Sequence, residues 1–117
     1  LFEDFDEPEK ALVIALMLDL SINEIEDISN TYDNCWEVQG ISYLFGTDDE
    51  MDEEWDTDLD NYIDDCLEIP KDLERYFDRE LWKSDARTDG RPHSLGRYDG
   101  REIEFKYEST WYYAYRQ

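Results

Sequence analysis

Eleven carboxylates fall within the 18 positions of residues 48–65, with no Lys or Arg among them. Carboxylates at that density can hold a hard cation, move protons, or pair with the bases of another macromolecule. The cation reading rests on Asp56, Asp58 and Asp60, which have the alternate spacing that opens a calcium-binding loop. It fails further along, because Asn61 stands where the loop needs glycine and Leu67 where it needs a bidentate glutamate. A zinc site from Cys35, Cys66 and His93 would lack any short ligand spacing. His93, with Ser94 beside it, reads as a hydrogen-bonded loop residue, and no nucleophile motif accompanies it. The sequence therefore predicts no metal, no cofactor and no catalytic residue, and the chain is expected not to be an enzyme. Pairing with bases is the chemistry that remains.

The charge is segregated along the chain. Residues 1–69 hold 23 acids and one base, Lys10, whereas residues 70–117 hold 10 of each, so the whole net charge of −22 lies in the first part. A surface built for solubility mixes both signs. A field of one sign costs self-repulsion and suits a positively charged partner, and DNA-binding grooves are such surfaces. The same field disfavours direct binding to nucleic acid or to an anionic membrane. No apolar run approaches the roughly 20 residues of a membrane span. The acidic start lacks a signal-peptide pattern, and two unpatterned cysteines predict buried thiols in a reducing cytoplasm.

The elements that must position these groups are legible in outline. Asp6 is a candidate cap for a helix with Pro8 in its first turn and an apolar run over residues 11–18. Ser21 with Glu24, and Thr47 with Glu50, have capping-box spacing. Residues 34–39 and 41–45 around Gly40 predict a β-hairpin, and residues 102–107 and 110–115 predict a second. Met51, Trp55, Leu59, Tyr62 and Cys66 form the apolar stripe of an amphipathic helix. Pro70 opens another helix, carrying Leu73, Tyr76, Phe77 and Leu81 towards Asp89, and a glycine-bearing loop runs on to Gly100. The fold class is α+β: one compact domain over residues 1–117, with about three to four helices and two hairpins forming a small antiparallel sheet.

On the acidic helix, Glu50, Glu53, Glu54, Asp60, Asp64 and Asp65 point away from the apolar stripe and are the predicted partner-binding residues. Eighteen helical residues span about 27 Å. Its carboxylates thus average one per roughly 2.5 Å, against about 1.7 Å per phosphate for duplex DNA. Lys71, Arg75, Arg79, Lys83 and Arg87 recur every four residues, a basic ridge expected to balance the chain's own acids.

Residues 89–100, Asp-Gly-Arg-Pro-His-Ser-Leu-Gly-Arg-Tyr-Asp-Gly, followed by Tyr112, Tyr113, Ala114, Tyr115 and Arg116, resemble a C-terminal pattern of small acidic phage and plasmid proteins. Pro92 stands where that pattern commonly has glycine. Ile69, Pro70, Leu73, Tyr76, Asp78, Glu80 and Asp85 also resemble a stretch of the ArdA antirestriction proteins, which are acidic, dimeric DNA mimics. The resemblance implies a non-catalytic anti-defence inhibitor in the bacterial cytoplasm. It would block the DNA cleft of a basic nucleic-acid-binding protein, either a restriction enzyme or a CRISPR-Cas effector, and a homodimer is compatible with it. The alternative is an acidic adaptor that shields a basic protein without competing with DNA.

Overall fold

A computed structural model describes residues 2–117. Helix α1 (Pro8–Met17) leads through a 3-10 helix (Ile22–Asp27) into strand β1 (Ile28–Tyr32). Strands β2 (Cys35–Val38) and β3 (Ile41–Thr47) follow. Helix α2 (Asp48–Cys66) is next, then a 3-10 helix (Lys71–Tyr76) and α3 (Arg79–Ala86). A 3-10 turn (Arg87–Asp89), α4 (Arg91–Leu95), β4 (Ile103–Tyr107) and β5 (Thr110–Arg116) complete the chain. The class is α+β, and the four α-helices and three 3-10 helices among the described residues exceed the expected number of helices.

All strand pairings are antiparallel, in the order β1-β2-β3-β5-β4. The two predicted hairpins are present, and β1 adds a strand that the sequence reading does not include. Both hairpin turns have two successive residues with positive φ, Gln39–Gly40 and Glu108–Ser109. That twist matches the flanking strands and closes a hairpin with two residues. The last hairpin enters the sheet with β5 against β3, so the helices between them form an excursion that starts and ends at the sheet centre.

Strand alternation gives the sheet two apolar faces. Trp36, Val38, Tyr43, Phe45, Tyr112 and Ala114 pack with Ala11, Val13, Ile14 and Ala15 of α1. On the other face, Leu44 and Tyr115 pack with Met51 of α2 and Leu95 of α4, with Trp55 and Tyr113 at the margin. Thr47 and Glu50 close the predicted capping box of α2, with bonds of 3.3 and 2.9 Å. In α1 the cap position is Glu7 rather than Asp6, with Pro8 in the first turn as expected.

The apolar stripe on α2 is only partly the predicted one. Met51 and Leu59 are buried, but so is Ile63, whereas Tyr62 and Cys66 are exposed. No α2 residue beyond Trp55 joins either hydrophobic cluster. The C-terminal half of α2 runs past the sheet and is covered by α3 instead. The expected helix from Pro70 is broken at Phe77, whose backbone is extended. Asp78 then accepts a hydrogen bond from the Leu81 N–H at 3.0 Å and caps α3. An aspartate that can satisfy a free backbone N–H favours a new start over continuation. The long axis of the molecule is 57 Å, against 26 and 25 Å for the others.

Candidate functional site

Five of the carboxylates of helix α2 form a ladder, and the ladder is treated differently from the rest. Asp48, Asp52, Asp56, Asp60 and Asp64 recur every four residues and therefore form a ridge. Arg79, Lys83, Arg87 and Arg91 recur with the same spacing and run past it in the opposite direction. Arg91 meets Asp48 and Asp52 at 2.9 and 2.7 Å. Arg87 and Lys83 meet Asp56 at 2.6 and 2.9 Å. Lys83 and Arg79 meet Asp60 at 3.3 and 3.0 Å, and Arg79 reaches Asp64 at 2.8 Å. Equal spacing on antiparallel segments keeps the two rows in register.

This ion-pair zipper decides which of the predicted binding residues are engaged within the chain itself. Asp60 and Asp64 are engaged by Arg79 and Lys83, and Arg79 with Lys83 holds the Asp60 carboxyl below its ordinary range. Glu50 is engaged at the helix start, where Lys10 Nζ lies 2.6 Å from it. Glu54 accepts a hydrogen bond from Asn34 Nδ2 at 2.9 Å. Glu53 and Asp65 have no basic partner among the described residues. The basic ridge balances the chain's own acids, as its spacing suggested, except that Lys71 and Arg75 lie outside the zipper. Asp56 and Asp60 share Lys83, whereas Asp58 turns to Arg97 at 2.8 Å, so the three carboxylates do not converge on a common point.

The charge density of α2 changes accordingly. Seven of its 11 carboxylates lie within 4.0 Å of six bases: Lys10, Arg79, Lys83, Arg87, Arg91 and Arg97. The helix is therefore much less like a duplex than its sequence implied. What remains unmatched is distributed over the molecule. Glu53 and Glu54 form a crest with Asp33 and Asn34 of the β1–β2 turn. On one side lies a groove of about 670 Å³ that also takes in Tyr32, Asp58 and Arg97. On the other lies a groove of about 520 Å³ with Asp6, Glu7, Lys10, Asn30 and Glu50. This crest joins the acids of the N-terminal segment to those of α2, which sequence spacing could not reveal.

The segment 89–100 packs along α2, with Leu95 and Arg97 lining the first groove, and is a clasp. Gly90 has φ +90°, a conformation in which glycine meets no Cβ penalty. It delivers Arg91 onto the sheet, where Nε donates to the Tyr115 hydroxyl at 2.6 Å and the guanidinium stacks 4.6 Å from the Tyr113 ring centroid. Burial raises the Tyr115 hydroxyl above its ordinary pKa, although Arg91 opposes the shift. Leu95 is a core residue, and Ser94 Oγ accepts from Trp55 Nε1 at 3.0 Å. A Cβ on Gly96 would lie 2.8 Å from the Pro92 carbonyl oxygen and 3.0 Å from Arg101 backbone atoms, so the turn requires glycine. His93 is exposed and makes no side-chain hydrogen bond among the described residues, contrary to its reading as a bonded loop residue. Cys66 is exposed and Cys35 half-buried, contrary to the expected pair of buried thiols; both are free. Of the aromatic end, Tyr112 and Tyr115 are buried and Trp111 is exposed.

Compared with protein-family models, with curated proteins and with solved structures, the chain matches none. No described helix is long and apolar enough to cross a membrane.

The Glu50 anchor yields a pH prediction. Burial opposes ionisation of Glu50, but Lys10 and the Thr47 N–H outweigh it and hold its carboxyl below the usual value. A depressed folded pKa stabilises the fold above the unfolded pKa, near 4.3 for glutamate, and that contribution is lost as pH falls through the folded value. Glu50→Gln is expected to remove that part of the acid-induced loss, seen as a flatter stability-against-pH curve below about pH 5 in urea titrations. An unchanged acid limb would show that the anchor does not couple to folding.

Proposed function

We propose that the chain is a non-catalytic anti-defence inhibitor of phage or mobile-element origin that presents carboxylates in place of DNA phosphates. Its partner is a basic nucleic-acid-binding protein, of which a restriction enzyme or a CRISPR-Cas effector is the leading candidate. The observation that supports this reading is the balance left after internal pairing. Of 33 carboxylates, 22 have no base within 4.0 Å among the described residues. A net −22 along a 57 Å axis averages about one charge per 2.6 Å, against about one per 1.7 Å for duplex DNA. The body as a whole, rather than α2, carries the likeness. Glu53, Glu54 and Asp33 on the crest, with Asp65 at the far end of α2, are the groups free to meet Lys and Arg of a partner. Asp60 and Asp64 serve the zipper.

Mimicry requires that this protein and DNA exclude each other. Titrating labelled duplex and this protein against a purified restriction enzyme or CRISPR effector that binds it should show mutual displacement. Affinity should also fall clearly as ionic strength rises towards 0.15 M, where the Debye length is about 8 Å. Replacing Asp33, Glu53 and Glu54 with their amides should weaken binding at least tenfold with the fold intact, because about 1.4 kcal/mol suffices for a tenfold change. Replacing Asp60 and Asp64 should affect stability before binding. A stable ternary complex with undiminished DNA affinity would refute competition and leave the adaptor as the better account.

A further inference from the structure

Strand β1 lies at one edge of the sheet, paired only with β2, and Ser29, Asn30, Thr31 and Tyr32 are all exposed. The Asp27 carbonyl accepts from the Gln39 N–H at 3.1 Å, so Asp27 and Ser29 turn their backbone groups towards β2. Antiparallel alternation then turns the N–H and C=O groups of Ile28 and Asn30 away from the sheet. No described residue hydrogen-bonds to those groups. The register slips between Asn30 and Tyr32, and such a bulge twists an edge away from further pairing. The open edge is therefore confined to Ile28–Asn30. Unpaired backbone of this kind is a template for another extended segment.

A groove of about 250 Å³ is lined by the N-terminal segment Asp4–Glu7 and by Ile28, Ser29 and Asn30. It shares Asp6, Glu7 and Asn30 with the groove of about 520 Å³ that leads to the crest. Trp36 lines it as well, and Trp36 Nε1 is the one buried side-chain polar atom without a hydrogen-bond partner among the described residues. A buried N–H is nearly always paired, so this indole lacks an acceptor. Charge identifies the occupant. Asp4, Asp6 and Asp33 line the two grooves, are exposed, and meet no base within 4.0 Å among the described residues. Lys10 is the only base lining either groove, and it is already held by Glu7 and Glu50. A second copy would bring its own acids to the same place, since residues 1–69 carry 23 acids and one base. An extended segment rich in Lys and Arg supplies backbone groups for the edge, carbonyl oxygens as acceptors and cations for the carboxylates.

We infer that the β1 edge at Ile28–Asn30 takes an extended, Lys- and Arg-rich segment of a partner protein as an added strand, with its bases seated among the acids of the two grooves. The inference holds for mimic and adaptor alike, and its test contains no DNA, so its failure leaves competition with DNA untouched. The probe is a labelled peptide of alternating Lys and Val, followed by fluorescence anisotropy. It should bind saturably, and N-methylation of its backbone amides, which keeps its charge, should weaken binding by about tenfold or more. Asn30→Pro removes an outward N–H and leaves the β1–β2 ladder in place, and should weaken binding to a similar degree. Asn30→Ala loses the same side-chain bonds to the Asp33 and Cys35 carbonyls but keeps that N–H, and should bind like the parent. Asp4→Asn with Asp6→Asn should weaken binding while leaving the crest intact. The methylated peptide requires no change in the protein, so it decides the matter even where Asn30→Pro does not fold. Equal binding of the two peptides, or by folded Asn30→Pro and Asn30→Ala chains, would leave charge attraction alone and overturn the inference. Absence of binding overturns it as well. So does a dimer of the parent chain that Asn30→Pro dissociates, which would give the edge to a second copy.

Discussion

Phe45→Ala is expected to lower stability by about 3–5 kcal/mol, the usual cost of removing a fully buried aromatic ring. Phe45 sits on β3 at the centre of the sheet and is 0% exposed. Its ring stacks on Tyr112 at 5.8 Å between centroids and meets Trp36 edge-on at 5.9 Å. Trp36 is stacked in turn against Phe5 of the N-terminal segment at 6.3 Å. The ring therefore links α1, the N-terminal segment and both halves of the sheet, and a cavity there cannot close by moving one side chain. Domains of this kind have about 5–15 kcal/mol in total, and self-repulsion from a −22 charge draws on that margin. Urea unfolding followed by circular dichroism measures the effect. Phe45→Leu should lose clearly less and gives a measurable value if the alanine variant does not fold. A loss below about 1 kcal/mol for the alanine variant would contradict a close-packed site.

The second large effect is expected at Arg91. Arg91→Ala should cost about 2–4 kcal/mol, combining an unpaired buried hydroxyl on Tyr115 with the lost stack on Tyr113. Tyr115 is 0% exposed, so water cannot replace the 2.6 Å bond. Asp48 and Asp52 are about half exposed and gain hydration when they lose the base, which limits the cost. Arg91→Lys should recover less than half of it, because an ammonium lacks the planar fork that bonds and stacks at once. Arg91→Ala makes the chain more negative and Arg91→Lys leaves its charge unchanged, so a partner drawn by charge should still bind wherever the protein remains folded. Loss of binding in a well-folded Arg91→Ala chain would move the clasp from scaffold to interface. Arg91 stable to replacement by both residues would deny the clasp its structural role.

Local chemistry set much of this architecture. The Thr47–Glu50 box and the Met51, Trp55 and Leu59 spacing fixed the start and period of α2, because capping and helical neighbours are decided within a few residues. The β2–β3 hairpin, and the β4–β5 hairpin with its alternating aromatics, were legible for the same reason. Composition fixed the excess of acid, which no fold can remove. Where that charge is displayed was decided in three dimensions. Residues 1–69 are almost free of bases, yet α2 ends up opposite Arg79, Lys83, Arg87, Arg91 and Arg97, all from the neutral part. That pairing needs the chain to reverse after Cys66 and the two rows to align, and neither event leaves a local signal. The break at Phe77 and Asp78 is hidden in the sequence, because the helical period of Leu73, Tyr76, Phe77 and Leu81 survives it. The inward turn of Ile63 in place of Cys66 follows from α2 leaving the sheet for α3, so burial there is set by the neighbour rather than by the stripe. The crest of Asp33, Asn34, Glu53 and Glu54 exists only because the β1–β2 turn folds against α2: one hydrogen bond, Asn34 to Glu54 at 2.9 Å, joins groups 20 residues apart.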